Sequence, residues 1–148
     1  MIRLTFTSTL PVDSQTLWRA ITSMAEINAE MQPWLTMGVP KGMAGLEDVD
    51  LVPGQPLFRS PLKLFGVLPV GHSDLTLLSL TPGEGFVEAS PMTGMRLWRH
   101  ERRLATSGQG CTLHDTLVFE PRFLPRATGA LVTLFFRHRH RRLRHRYR

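Results

Sequence analysis

The sequence predicts an α+β fold, a curved antiparallel sheet of about seven strands wrapped on one long C-terminal helix, with two short helices after the first strand. Three patterns carry that reading. Residues 2–10 alternate Ile2, Leu4 and Phe6 with Arg3, Thr5, Thr7 and Thr9, the period of a half-buried strand. Turn residues at Pro53-Gly54, Pro82-Gly83, 91–94 and 107–110 cut the middle of the chain into short segments, the rhythm of consecutive hairpins and not of βαβ units. Near the C-terminus, Leu131, Val132, Phe135, Phe136, Leu143 and Tyr147 recur at helical spacing along one side. A helix over 123–147 would run about 37 Å at about 1.5 Å per residue, long enough to cross a small sheet.

Each element has its own local cause. Pro11 ends the first strand, and Asp13 or Ser14 can cap a helix that buries Leu17, Trp18 and Ile21. A second short helix, about 24–31, turns Ile27 and Met31 inward and stops before Pro33, because the residue preceding a proline is steered out of the helical region. Trp34, Leu35 and Met37 form an apolar link. Strands are expected near 46–52, 56–64, 71–81, 85–90, 95–106 and 111–120. Residues 65–70 are apolar but broken by Gly66 and Pro69, and read either as a buried bend or as a loop covering an opening.

Composition narrows the function classes. The chain has 148 residues, 42% hydrophobic and 20% charged, which is the size and balance of one globular domain, 1–148, with a real core. The net charge of +6 is local: residues 137–148 hold seven arginines, three histidines and no acid, leaving 11 basic and 12 acidic groups elsewhere, a net of −1. Cys111 is the only cysteine, so an internal disulfide is impossible, and it is expected as a small buried hydrophobe. The chain shows neither a signal-peptide pattern nor an apolar run approaching the ~18 residues of a membrane span. A soluble, cytoplasmic protein is expected.

Local strings add a resemblance. Residues 28–37 (NAEMQPWLTM), 64–69 (LFGVLP), 95–100 (MRLWRH), 112–115 (TLHD) and 136–143 (FRHRHRRL), set in this order of elements, resemble the START-like superfamily. This is the SRPBCC or polyketide cyclase/dehydrase and lipid-transport group of helix-grip proteins. The resemblance implies a sheet gripping the terminal helix, with an internal cavity for a hydrophobic molecule such as a lipid, polyketide or isoprenoid. It implies no particular reaction.

The candidate site follows from strand register. If residues 107–110 form a four-residue turn, facing positions sum to 217: Leu104 meets Leu113, Arg102 meets Asp115, His100 meets Leu117 and Trp98 meets Phe119. Leu113, Leu117 and Phe119 need the apolar side, so Asp115, His100 and Arg102 point there too. Arg102 and Asp115 read either as a structural ion pair or as a holder for a polar head group. His100 is a candidate acid or base, or a packed structural histidine. Around Pro82-Gly83, Leu80 faces Phe86 and Leu78 faces Glu88, which places Glu88 among apolar groups where desolvation would raise its pKa. His72 and Asp74 are expected at a solvated rim.

The catalytic candidates are therefore His100, Glu88 and Asp115. The ligand-binding candidates are Trp34, Leu64, Phe65, Leu78, Phe86, Trp98, Arg102, Leu117, Phe119, Leu131 and Phe135. Neither a metal nor another cofactor is expected, because His-Glu-x-x-His, Cys/His clusters, phosphate loops and dinucleotide fingerprints are missing from the sequence. The leading functional expectation is reversible binding of a hydrophobic or amphipathic small molecule, for carriage or sensing. The alternatives are a cyclase or dehydratase using the same cavity, and an interaction module with a filled core. The basic tail is expected as a solvated helix face, or as a weak contact with an anionic membrane through Arg137, Arg141, Arg144 and Arg148; nucleic acid is not expected as a partner.

Overall fold

A computed structural model describes residues 1–48, 50–108 and 110–148. Its strands are β1 (Ile2–Leu10), β2 (Leu35–Met37), β3 (Pro56–Leu64), β4 (Leu68–Thr81), β5 (Gly85–Ala89), β6 (Met95–Ser107) and β7 (Gly110–Pro121). Helices α1 (Ser14–Thr22) and α2 (Met24–Met31) follow β1, and α3 (Pro125–Arg146) ends the fold. All seven strands form one antiparallel sheet in the order β1-β7-β6-β5-β4-β3-β2. This is the expected helix-grip architecture.

Most elements start and stop for the reasons the sequence suggests. Asp13 caps α1 by accepting from the Thr16 N–H at 3.0 Å, and Ser23 both ends α1 and caps α2. Leu124 takes a left-handed φ of 45° and Pro125 begins α3, so this helix opens two residues later than expected. The β6–β7 register is the expected one: Trp98 faces Phe119, His100 faces Leu117 and Arg102 faces Asp115. Gln109, within the turn that sets this register, lies outside the described residues.

Three expectations need correction. The segment 46–52 is not a strand: Leu46–Asp48 forms a 3-10 turn, because the Asp48 carboxylate accepts from the Ala44 and Gly45 N–H groups at 2.9 and 2.8 Å. Val49, in the same stretch, is outside the described residues. The seventh strand is β2, read from sequence as a link. The Asn28 side chain bonds both the N–H and the C=O of Met37, which holds β2 extended against β3. Residues 65–70 are not a buried bend. They form the tip of the β3–β4 hairpin, with Phe65 and Gly66 at φ 54° and 73°, and Phe65, Val67, Leu68 and Val70 are all exposed.

A bulge in β4 has a larger effect on the interior. The register with β5 shifts between Leu77 and Ser79, so Leu77, and not Leu78, faces Glu88, while Leu80 still faces Phe86. Leu75 and Leu77 are consequently buried and Leu78 turns to solvent. Close backbone approach fixes the neighbouring strand pair, since a Cβ on Gly85 would lie 2.3 Å from the Arg102 carbonyl oxygen.

The core has two parts. Leu10, Leu17, Trp18, Ile21, Met24, Ile27, Met31, Leu75, Leu77 and Phe86 fill the space beneath α1 and α2. Leu117, Phe119 and Phe136 form a smaller cluster under α3, joined by Ile2, Leu4, Phe6 and Trp98. Cys111 is fully buried, and burial raises its thiol pKa, so it behaves as a hydrophobe. No helix of the described residues is long and apolar enough to cross a membrane.

A buried charge cluster as the candidate functional site

Between the two apolar clusters the interior is ionic. β6 contributes His100 and Arg102, β7 Asp115, β5 Glu88, α2 Glu30, and α3 Arg139 and His140, and all seven are buried. Charges enter such an interior only when paired and hydrogen-bonded, because desolvation otherwise costs more than the chain can recover. Each of these groups has a partner.

Arg102 is the centre. Its Nε donates to Asp115 Oδ1 at 2.8 Å and its Nη2 to Asp115 Oδ2 at 2.9 Å, a two-pronged pairing. The other edge of the guanidinium serves Glu30: Nη2 to Oε1 at 2.6 Å and Nη1 to Oε2 at 3.1 Å. One side chain thus ties the sheet to α2. Arg139 donates from Nε to Glu30 Oε1 at 2.9 Å and lies 4.8 Å from the Phe136 ring, which brings α3 into the same network.

Asp115 also accepts from both histidines. His100 Nε2 lies 2.6 Å from Oδ1 and His140 Nε2 2.7 Å from Oδ2. The second nitrogen of His140 meets Ser8 Oγ at 2.7 Å, and that oxygen also accepts from Arg144. The second nitrogen of His100 faces Glu88 Oε1 at 3.7 Å. Glu88 accepts from Ser90 Oγ at 2.6 Å, and Ser90 in turn accepts from the Thr76 N–H.

The electrostatics follow from these contacts. Burial pushes Asp115 toward its neutral form, but Arg102 and His100 outweigh it and hold the carboxyl well below the usual carboxylate range. Glu30 is lowered in the same way by Arg102 and Arg139 against its own burial. For Glu88 the expected upward shift does not occur: burial acts in that direction, but His100 and Ser90 lower the carboxyl below its ordinary value. Burial lowers His100, yet the two carboxylates facing its ring leave it raised. Arg102 is raised because Asp115 and Glu30 outweigh its burial, whereas Arg139 is lowered by burial with only Glu30 in contact. With His100 charged, Arg102, Arg139 and His100 match the three carboxylates in number.

A small cavity is lined by four members of the cluster. It measures about 50 Å3, and Glu88, His100, Arg102 and Arg139 share its lining with Met24, Met31, Met37, Leu75, Leu77 and Phe86. Arg139 lines this cavity, and only its Nε makes a hydrogen bond among the described residues, to Glu30. No group of His, Cys, Asp and Glu able to hold a metal ion occurs among the described residues.

The other expected lining residues lie elsewhere. Leu117 and Phe119 are fully buried and packed on Phe136, with the half-buried Trp98 ring 5.6 Å from Phe119, so this region is filled rather than open. Phe135 is half-buried against Phe136. Leu64 is half-buried at the end of β3, paired with Leu35 and Leu68. Trp34 and Phe65 pack against each other at the surface with their rings tilted, 5.7 Å apart. Leu131 points outward from α3 and Leu78 outward from the bulge, so neither borders the interior. His72 is half-buried, and Asp74 pairs with Arg59 at 2.8 Å near the surface.

Glu30, Arg139, His140 and Ser8 were not among the sequence candidates. Their signal was spacing: Glu30 falls three positions after Ile27, and Arg139 and His140 fall three and four after Phe136, on the stripe that continues to Leu143. Arg139 and His140 belong to the basic stretch expected as a solvated helix face, and hydrophobic spacing alone does not single out Glu30 or Ser8.

Comparison with known proteins gives a family and a fold. The sequence matches DUF8410, a domain of unknown function, over residues 8–147. No curated protein matches it significantly. Among solved structures, protein CV1439 from Chromobacterium violaceum superimposes with a TM-score of 0.75 at 15% identity, covering 98% of this chain and 96% of that one. Ara h 8.0201 gives 0.68 at 11% identity over 99% and 97%. DynU16, from the dynemicin biosynthetic locus, gives 0.65 at 13% identity, with 97% of this chain matched to 46% of that protein. At these identities the likeness shows the fold.

Two outcomes test the cluster. Arg102→Met, which keeps the length but leaves Glu30 and Asp115 short of their central cation, is expected to destabilise the fold by about 3–5 kcal/mol in urea titration. A loss below about 1 kcal/mol would show the cluster to be peripheral. Stability should also depend on pH in two directions. The lowered carboxylates contribute above their unfolded values and lose that contribution as pH falls through their folded values. Raised His100 contributes below its unfolded value and loses it as pH rises through its folded value. The cluster's contribution is therefore greatest between roughly pH 4.5 and 6.5, and His100→Gln should remove the alkaline decline in a series of thermal melts.

Proposed function

The chain belongs to the DUF8410 family, and we propose that it is a ligand-binding helix-grip protein of the START-like, SRPBCC kind, holding a small amphipathic molecule between sheet and helices for carriage or sensing. The observation that supports this most is the mixed lining of the small cavity: methionines, leucines and a phenylalanine together with a few polar groups. Such pockets take the apolar body of a ligand on one side and fix its orientation on the other.

The polar wall favours a particular head group. Arg139 offers two terminal nitrogens, while Arg102 is engaged by Glu30 and Asp115. The cluster balances its own charge, so a full anion would unbalance it, and a carbonyl or hydroxyl oxygen fits better. Size sets a further limit. At about 50 Å3 the cavity is far below the roughly 300–1,000 Å3 of drug-sized sites. A small molecule enters with little change, whereas a lipid or polyketide requires the wall to yield. Met24, Met31 and Met37 are unbranched and adaptable, and form the side that would move.

A proton-transferring enzyme of the cyclase or dehydratase kind is the second reading, favoured by one arrangement. His100 stands between Glu88 and Asp115, and both His100 and Glu88 line the cavity. An imidazolium with two carboxylate neighbours can pass a proton to a bound carbonyl and recover it.

Solvent extraction and mass spectrometry of protein purified from its own host, followed by thermal-shift assays with what is found, tests binding. A discrete co-purifying compound is expected, with Arg139→Leu weakening its binding about tenfold or more while Arg141→Gln leaves it unchanged. Folded protein that carries nothing, and shows no shift with small ketones, fatty acids, isoprenoids or polyketides, would reject ligand binding and favour an interaction module with a filled core. Turnover lost in His100→Gln with affinity retained would select the enzyme over the carrier.

A further inference from the structure

The outer surface holds a second feature, independent of the interior. The tip of the β3–β4 hairpin exposes Phe65 by 55%, Val67 by 76% and Leu68 by 55%. Phe65 packs with a tilted ring against exposed Trp34, and the Trp34 ring lies 6.3 Å from that of His138, whose Nε2 bonds the Gln32 carbonyl oxygen at 2.5 Å. His138 belongs to α3, and one and two turns before it on the same helix face stand Leu134 and Leu131, exposed by 61% and 66%. Large apolar side chains scattered singly need no explanation, but these adjoin one another around His138.

The adjoining surface is cationic. Beyond His138, a groove of about 580 Å3 runs between the C-terminal half of α3 and helix α2, lined by Arg141, Arg142, Arg144, Arg146 and Arg148. Internal partners occupy three of these: Arg142 donates to the Ala29 carbonyl, Arg144 to Ser8 and Arg146 to Glu26. Arg141 and Arg148, with neighbouring Arg137 on α3, make no hydrogen bond or ion pair among the described residues and are exposed.

We infer that this face docks on an anionic lipid bilayer, the hairpin tip, Trp34 and Leu131–Leu134 entering the interface while Arg137, Arg141 and Arg148 meet lipid phosphates and carboxylates. Charge complementarity and apolar area point to the same partner. Basic side chains near a membrane gain from its negative surface potential, and an exposed aromatic beside aliphatic groups suits the boundary between head groups and acyl chains. A nucleic acid would use the arginines but has no place for Val67, Leu68, Leu131 and Leu134. Its position beside α2 sets the docked face close to the methionine wall of the interior, although the docking itself requires no internal ligand.

Flotation of the full chain with vesicles of phosphatidylcholine alone, or containing about 30% phosphatidylserine, tests this at low and physiological salt. Binding is expected only to the anionic vesicles, weakening with salt, with a blue shift of Trp34 emission that is absent in Trp34→Phe. Arg141→Gln with Arg148→Gln should weaken partitioning by about 25-fold, about fivefold for each arginine. Val67→Ser with Leu68→Ser should weaken it about tenfold with an unchanged thermal midpoint, since both side chains are in solvent. Absence of binding, equal binding to neutral and anionic vesicles, or indifference to the hairpin substitutions overturns the inference. Displacement by a single-stranded RNA that binds more tightly than the vesicles, with the same indifference, would assign the groove to nucleic acid instead.

Discussion

The fold depends on how the charge of Arg102 is compensated. Its guanidinium, fully buried in β6, reaches Asp115 on the next strand and Glu30 on α2, and through Glu30 it reaches Arg139 on α3. Arg102 and Glu30 together join sheet, α2 and α3 in one connected set of hydrogen bonds. Apolar packing supplies the bulk of the driving force, but it is non-directional and would accept several placements of the two helices. Fork-shaped pairing accepts few, because both nitrogens must meet both oxygens. A cluster of this kind contributes less net stability than an apolar core of the same volume and more geometric definition.

That interior changes what the helix-grip shape can be used for. Where the resemblance implies an apolar cavity under the long helix, Phe136, Phe119, Trp98 and the ion cluster occupy the space, and about 50 Å3 remains beside the methionines. The space that is left is set off toward α1 and α2, away from the N-terminal half of α3. Arg139, Glu88 and His100 share the lining of that space with the flexible methionines. The same two helices carry the basic groove on their outer side, so the interior cavity and the proposed docking face share α2 as a wall.

Much of the fold was legible because its signals were local. Alternation in β1, the Asp13 cap and the turn between β6 and β7 each follow from a handful of adjacent residues, and that turn alone put Arg102 opposite Asp115 with His100 on the same face. What escaped needed information from elsewhere in the chain. The bulge between Leu77 and Ser79 inverts the part of β4 before it, and no residue there announces it. Strand β2 exists because Asn28, seven residues before it, satisfies the Met37 backbone. For Glu30 and Arg139 the helical spacing was present, but an ionised side chain reads as solvated until its partner is known, and the partners lie on separate elements more than a hundred positions apart. Glu88 shows the converse: its burial was foreseen, and the histidine that reverses the effect of burial was foreseen too, but the contact between them was not.

The central claim is that the interior is a charge-balanced ion cluster, which requires His100 to be an imidazolium between Asp115 and Glu88. The most direct test is nitrogen-15 NMR of the imidazole rings across pH, with the His100 signals assigned by their loss in His100→Gln. Both ring nitrogens of His100 are expected to carry protons at neutral pH, and the ring to titrate above its ordinary value. A neutral His100 ring at pH 7, or one that titrates at or below the ordinary histidine value of about 6.5, would contradict it.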